Sequence, residues 1–256
     1  MGTNSAGPRA NTFSICAVDT DTGETGVAVA SRYLSVGGLV PYAEPGVGAI
    51  ATQATCNPNY GTCGLELLRK GVPASEVVRR LTDEDVTVTP DDAPSMDRYR
   101  AEQLTEEGVD YVRQGDGKRI VWLTSRIRQL GVVDRQGNAA GHNGARIFPW
   151  AGSTSAPGYC CQGNLLAGPQ VIRAMADSFE ESRAKGASLV AALLAALVAG
   201  EAAGGDRRGK QAAGILVVRD RGNWTGSDRY CDIRVDDHAD PVGELSRILK
   251  KTGFVS

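Results

Sequence analysis

Asn11-Thr12-Phe13-Ser14-Ile15-Cys16-Ala17-Val18-Asp19 runs into a turn and then into Gly26-Val27-Ala28-Val29-Ala30-Ser31-Arg32. Side chains alternate across a strand, so Thr12, Ser14, Cys16 and Val18 share one face, and Phe13, Ile15 and Ala17 share the other. Apart from Thr12 and Ser14, both faces are apolar. A strand apolar on both sides is covered on both sides, which places this hairpin inside a layered structure. The segment between the strands, Asp19-Thr20-Asp21-Thr22-Gly23-Glu24, supplies Asx residues and a glycine for positive φ, the chemistry of a tight turn.

Working outward, Gly46 to Ala54 reads as a third buried strand. Its Gly-x-Gly start lacks a third glycine at fingerprint spacing and no helix follows directly, which excludes a dinucleotide site. Asn57-Pro58-Asn59-Tyr60-Gly61 feeds a helix over Thr62 to Lys70, capped by Gly71, and Pro73 starts another that runs to Leu81. From 82 to 118 acidic residues dominate and Pro90 and Pro94 interrupt, which suggests an inserted surface excursion with a short helix over Met96 to Val109. Ile127 to Asp134 and Ala139 to Ile147 flank the turn Arg135-Gln136-Gly137-Asn138, a second hairpin. Phe148 to Cys161 reads as loop. Helices follow over Leu166 to Arg183 and Leu189 to Ala202. A third hairpin pairs Gln211 to Val218 with Tyr230 to Val235, and a helix from Pro241 to Lys251 closes the pattern. Helix pairs between antiparallel hairpins do not suit a parallel doubly wound sheet. The expected class is α+β: two mainly antiparallel sheets face to face, flanked by helices. One domain spans 12–256 behind a flexible leader or propeptide, residues 1–11.

Net charge is -2, with 23% charged and 41% hydrophobic residues, so nothing electrostatic calls for nucleic acid or an acidic membrane as partner. The polar leader has no apolar core of a secretory signal. Ser188 to Gly200 is shorter than the ~20 residues of a membrane span. A cytoplasmic location is expected. Six cysteines form no C-x-x-C pair and only two histidines are present, so no cofactor and no metal are expected, and the cysteines read as buried reduced thiols.

A Thr that becomes the first residue of a strand once the preceding peptide bond is cut is a self-contained catalyst. Its hydroxyl attacks a carbonyl and its own α-amine, with a pKa near ~8, takes the proton. No histidine triad is required, and none is apparent, nor is a G-x-S-x-G elbow. From chemistry alone, Thr12 opening a strand is equally a plain β-former. Cys16 shares its face and is a rival nucleophile without an identified base.

The same residues resemble a known family. Thr12-Phe13-Ser14-Ile15 followed by Gly26 to Arg32 is similar to domain of unknown function 1028 (DUF1028), placed in the N-terminal-nucleophile (Ntn) hydrolase-like superfamily. The resemblance continues in Gly48-Ala49-Ile50-Ala51-Thr52-Gln53-Ala54, Asn57 to Gly61, Arg128 to Asp134, Gln162 to Gly168, Gly204 to Gln211 and Arg234 to His238. It implies a four-layer αββα sandwich and an amidohydrolase that cleaves a C–N bond, amide or cyclic amide, in a small-molecule substrate. Family members usually begin Met-Thr-Phe-Ser. Here a longer run precedes Thr12, so cleavage of Asn11-Thr12, by autoproteolysis as in many superfamily members, is the implied activation. Thr12 is then nucleophile and base, and Ser14 a proton relay. Arg32 holds the α-amine neutral or grips a substrate carboxylate or, as a plain alternative, caps its strand at the surface. Thr52 and Gln53 lie where backbone donors meet the oxyanion, and Asn164 adds a side-chain donor or, as a plain alternative, caps a helix. Asn57, Asp206, Arg207 and Gln211 lie in loops that approach substrate, with a plain turn as the alternative role of Asp206 and Arg207. Two alternatives stand beside the hydrolase: a non-catalytic Ntn scaffold binding a ligand or partner, and a cyclohydrolase-type enzyme. Subunit pairing in the superfamily implies a homo-oligomer, dimer or higher.

Overall fold

The computed structural model of the chain describes residues 9–10, 12–90, 102, 104–105, 109–113 and 119–255. In chain order the elements are β1 (Arg9–Ala10), β2 (Thr12–Val18), β3 (Thr25–Ser31), β4 (Pro41–Glu44), β5 (Gly48–Thr55), α1 (Asn59–Arg69) and α2 (Ala74–Glu84). β6 (Thr87–Pro90), β7 (Tyr111–Arg113), β8 (Arg119–Trp122), β9 (Arg128–Asp134), β10 (Ala139–Asn143), β11 (Gly152–Ala156) and β12 (Tyr159–Gly163) follow. The chain then forms α3 (Pro169–Ala184), α4 (Leu189–Ala202), β13 (Ala212–Val218), β14 (Arg229–Val235) and α5 (Pro241–Lys251). The protein is α+β, with a six-stranded sheet ordered β11-β12-β2-β3-β13-β14 and a five-stranded sheet ordered β1-β5-β9-β10, with β4 also on β5. Among the described residues every pairing in these sheets is antiparallel.

The alternation read from β2 decides what each face meets. Cys16 and Val18, with Val27 and Val29 of β3, pack against Ala49 and Ala51 of β5 and Val133 of β9, so this face looks across to the other sheet. Phe13, Ile15 and Ala17 pack instead with Met175 and Phe179 of α3, Leu193 and Leu197 of α4, and Leu245 of α5. On the five-stranded sheet, Ile50, Leu130 and Val132 pack with Leu68 of α1 and Val77 and Leu81 of α2. All seven residues of β2 are buried, as a strand covered on both faces requires. α4 (Leu189–Ala202) is apolar on nearly every side because it is wedged among α3, α5 and the six-stranded sheet; Ser188 caps it, its hydroxyl accepting from the Ala191 N–H at 3.2 Å.

Four expectations differ from the structure. Residues 148–161, expected as loop, contain β11 and most of β12, joined by a turn in which Gly158 takes φ +89. These strands are rich in Gly, Ser and Cys and lack the branched apolar alternation that marks a strand locally. Pro41–Glu44, within a stretch expected to be irregular, is β4 and pairs with β5. Within the leader, expected to be flexible, Arg9–Ala10 pairs with the end of β5. Not all cysteines are buried: Cys16, Cys160, Cys161 and Cys231 are, Cys56 is half-buried and Cys63 is exposed on α1. Part of the acidic excursion is ordered as a small sheet, β6-β8-β7, with a cluster of Leu104, Val109, Trp122 and Ile127 beside it. The helix expected over Met96 to Val109 falls mainly on residues outside those described.

The β2–β3 turn is tied down by one carboxylate. Asp19 accepts from the N–H groups of Asp21 and Thr22 at 3.0 and 3.2 Å and from the Arg183 guanidinium of α3 at 2.6 Å. Burial pushes its carboxyl up, but the Thr22 N–H and Arg183 outweigh that, and the net shift is downward. A depressed carboxyl stabilises the fold fully above its unfolded value of ~3.9, and the contribution is lost as pH falls through the folded value. Arg183→Gln is therefore expected to lower the melting temperature at pH 6, with the gap to the parent narrowing as pH falls below the ordinary carboxylate range. A gap that is constant across this range in thermal melts would contradict the assignment.

Candidate functional site

At one end of the inter-sheet space, the alternation of four strands switches from apolar to polar together. On β2 the inward residues run Val18, Cys16, Ser14, Thr12; on β5 they run Ala49, Ala51, Gln53. On β9 they run Val133, Gly131, Gln129; on β12 they are Cys160 and Gln162. Pairing registers bring the polar members abreast: Gln53 opposite Gln129, Gln162 opposite Ser14, and Thr12 opposite Ser31. Thr12, Ser14, Gln53, Gln129 and Gln162 are each 0% exposed and Asn164 is 1% exposed. Burial of so many polar groups is tolerated only because they satisfy one another.

The bonds run in one donor direction. Gln162 Nε2 donates to Ser14 Oγ at 2.6 Å, and Ser14 donates to Gln53 Oε1 at 2.6 Å. Gln53 Nε2 donates to Gln129 Oε1 at 2.7 Å and to the Thr12 carbonyl at 3.2 Å. Gln129 Oε1 also accepts from Asn164 Nδ2 at 2.9 Å, while Gln129 Nε2 donates to the Gly163 carbonyl at 2.8 Å and to Asn143 Oδ1 at 2.7 Å. The Thr12 carbonyl takes a second bond from the Asn164 N–H at 3.0 Å. The Thr12 hydroxyl donates to Ser31 Oγ at 3.3 Å.

Among the described residues one buried acceptor, Gln162 Oε1, has no hydrogen-bond partner. Flipping this amide would aim Oε1 at Ser14 and cost Ser14 its bond to Gln53, so the direction of the chain fixes the orientation. A Cβ at Gly131 would lie 2.1 Å from that oxygen. Gly131→Ala is thus expected to push Gln162 off its rotamer and destabilise the fold by about 1–3 kcal/mol in chemical denaturation. An unchanged midpoint would show that Gln162 has room to move.

No network side chain named above is ionisable. While the Thr12 nitrogen is an amide it is no base, so the Thr12 hydroxyl has hydrogen-bond partners here but no proton acceptor of useful basicity. Cys16, the rival nucleophile, is fully buried with its thiol pushed well up by burial; its Sγ lies 3.7 Å from the Cys160 carbonyl. Burial likewise raises Cys161, and raises Cys231 to about 12. Alkylation of the native protein at pH 7.5 is expected to modify the exposed Cys63 and leave Cys16, Cys161 and Cys231 untouched until denaturant is added. Peptide mapping after brief iodoacetamide treatment checks this; early labelling at Cys16 would restore it as a contender.

The other expected site residues fall elsewhere. Thr52 neighbours Gln53 in sequence but points to the opposite face, where its hydroxyl donates to the Asn57 carbonyl at 3.2 Å; its N–H donates to the Val40 carbonyl at 3.2 Å, so that backbone donor is already engaged. Asn57 donates to Asp85 Oδ1 at 3.3 Å and joins a cluster in which Arg128 and Tyr60 bond the same carboxylate at 3.0 and 2.9 Å. That cluster borders a cavity of about 240 Å³ that includes Cys63 and Glu84. Arg32 is exposed, with its guanidinium donating to the Arg208 carbonyl. Asp206 is buried and acts on the loop itself: it accepts from the Arg32 N–H at 3.0 Å and from the Arg208 guanidinium at 2.7 Å. Arg207 is exposed and Gln211 bonds Asp237 at 3.3 Å. This loop touches the site indirectly, through a cavity of about 110 Å³ lined by Phe13, Ser31, Glu201, Asp206 and Lys210. Asn164 caps no helix, since α3 begins five residues later at Pro169 behind Gly168.

Gln129, Gln162, Asn143 and Ser31 belong to the network although the sequence did not single them out. The available signal was a Gln at an inward position of β5 and β9, where the other inward residues, Ala49, Ala51, Gly131 and Val133, are small or apolar; Gln162 lies on a strand the sequence did not mark.

Known proteins place the chain as follows. The profile of a family described as a family of unknown function (DUF1028) matches residues 12–91 and 94–245. The chain is similar to the crystal structure of protein SPO2555 from Silicibacter pomeroyi, which carries the same family designation. The two share 28% identity with a TM-score of 0.72, over 95% of this chain and 86% of that one. No curated protein matches.

Proposed function

The chain belongs to the DUF1028 family of unknown function, and from the geometry around Thr12 we propose that it is an N-terminal-threonine hydrolase of a small-molecule C–N bond. On this reading the two sheets with helices outside both are the αββα arrangement of the Ntn superfamily. One observation carries the proposal. Ala10 is paired to Ala54 of β5 in the five-stranded sheet and Thr12 to Ser31 of β3 in the six-stranded sheet, so residues two apart in the chain belong to different sheets. Thr12 lies at the polar end of both sheets, where its carbonyl is held by two donors and its hydroxyl lies against Ser31. The match to the family opens at Thr12.

Activation breaks the Asn11–Thr12 bond. Thr12 Oγ1 adds to the Asn11 carbonyl carbon, its proton passes to the departing amide nitrogen, and an ester joins Asn11 to Oγ1. Water hydrolyses the ester, leaving a carboxylate on Asn11 and a free hydroxyl and α-amine on Thr12. That amine, with a pKa near ~8, is the base the amide-bound site lacks. In turnover it takes the Oγ1 proton as the hydroxyl attacks the substrate carbonyl and passes it to the leaving nitrogen; water then frees the acyl group. Gln53 and Asn164 hold the Thr12 main chain in position, and Ser14 orients Gln53. Asn164 Nδ2, turned from Gln129, is the side-chain donor for the oxyanion.

Intact-mass measurement tests the reading. A chain lacking residues 1–11, with Thr12 as its first residue by N-terminal sequencing, is expected after purification or prolonged incubation. A full-length chain that never converts under any condition tried sinks the mechanism. In that event the non-catalytic scaffold is the better reading, favoured by the complete burial of Thr12 with β1 in place.

A further inference from the structure

We propose that the acyl side of the substrate is a short extended peptide, bound as an added antiparallel strand on the Ala54–Thr55 edge of β5 in the place that β1 occupies. For turnover this rests on Thr12 being the nucleophile; for binding it does not. β5 has two edges. One pairs with β9 continuously from Gly48 to Ala54. The other pairs with β4 only from Gly48 to Ala51, and β1 takes the remaining stretch, Arg9 opposite Thr55 and Ala10 opposite Ala54. Once residues 1–11 depart, that stretch is an open strand edge beside the nucleophile, and unpaired edges are templates for extended chains.

The geometry of the leader defines what fits. The hydroxyl that attacks the Asn11 carbonyl also attacks the substrate, so an acyl group must arrive along the same path. The residue carrying the scissile carbonyl takes the place of Asn11. The residue before it lies opposite Ala54, and the one before that opposite Thr55. Recognition is therefore by main-chain hydrogen bonds, which a cyclic amide or a simple alkyl amide does not supply.

Two features show the edge is built and held. Ala54 takes φ +67, a conformation rare for a residue with a Cβ and one that clusters at binding and active sites. The end of β5 is anchored from the β9 side: Arg128, ion-paired to Asp85 at 3.0 Å, donates to the Thr55 carbonyl.

The test reads hydrogen exchange at the Ala54 and Thr55 amides and peptide binding. In the full-length chain, Arg9→Pro combined with Ala10→Pro is expected to raise exchange at whichever of these amides pairs with the leader by at least tenfold, with the rest of β5 unchanged. In the chain cleaved before Thr12, the same amide is expected to exchange fast. The product peptide Ala-Gly-Pro-Arg-Ala-Asn, the sequence of residues 6–11, should restore its protection. Neighbouring positions on an antiparallel strand alternate in hydrogen bonding. N-methylation of the peptide's Arg or of its last Ala should therefore weaken binding at least tenfold in one case. Equal binding by both methylated peptides, or protection elsewhere on the surface, overturns the proposal. If the cleaved chain hydrolyses non-peptide amides and the peptide neither binds nor inhibits, the strand site falls and the hydrolase stands. If the peptide binds as described and no amide is turned over, the hydrolase falls and the strand site stands.

Discussion

Thr12→Val is expected to leave the chain at its full mass and to lower amide hydrolysis by on the order of 10⁴-fold or more, the scale seen when a nucleophile is removed. Valine keeps the β-branched shape that suits the start of β2 and removes only the hydroxyl. The fold should lose little, since the bond surrendered is the single neutral one to Ser31 at 3.3 Å, worth about 1 kcal/mol. Thr12→Ser, which keeps the hydroxyl, is expected to retain cleavage at a reduced rate. Cys16→Ser should process and turn over normally, because Cys16 sits deeper between the sheets with its thiol pushed up by burial. Mass spectrometry and an assay on a peptide amide separate the cases. Processing that persists in Thr12→Val would falsify the assignment of Thr12 outright, whereas loss of both in Cys16→Ser would move the nucleophile to the thiol.

The second large effect is at Gln129. Its amide accepts from Gln53 and Asn164 and donates to Asn143 and to the Gly163 carbonyl, so it is where β5, β9, β10 and the end of β12 meet. Gln129→Leu fills nearly the same volume but leaves buried groups of Gln53, Asn164 and Gly163 short of a bond, while the exposed Asn143 turns to water. Each such orphan costs about 1–3 kcal/mol when it stays buried, and partial rearrangement lowers the sum. A loss of about 3 kcal/mol or more is expected, with a fall in melting temperature of roughly 6–12 °C for a chain of this size. Processing should slow as well, since Gln53 loses the partner that aims it at the Thr12 carbonyl. Denaturant melts and a processing time course check both. A shift under 1 kcal/mol would mean that water replaces the Gln129 amide and the network is not what orders this end of the sheets.

Much of the architecture was legible because it is local. Period-two alternation identified β2 and β3 and both of their faces. The bounds expected for α4 and α5 match those observed, Leu189–Ala202 and Pro241–Lys251. β11 and β12 were missed because Gly, Ser and Cys carry little strand signal; they are strands because β2 offers them a partner edge. The plain-turn alternative for Asp206 matches its contacts, since its carboxylate accepts from the Arg208 guanidinium and from the Arg32 N–H within the loop.

The sequence alone determined a buried hairpin with two polar residues, Thr12 and Ser14, at the start of its inward face, and a class built of antiparallel sheets and helices. Only the tertiary structure decided that Gln53, Gln129, Gln162 and Asn164 converge on that end, that Thr52 does not, and that residues 9–10 continue the five-stranded sheet beside it. Local sequence specifies which face a side chain takes, through backbone geometry. Which side chains meet depends on strand register and on how two sheets stack, and those are settled by pairings between residues as far apart as Ser14 and Gln162.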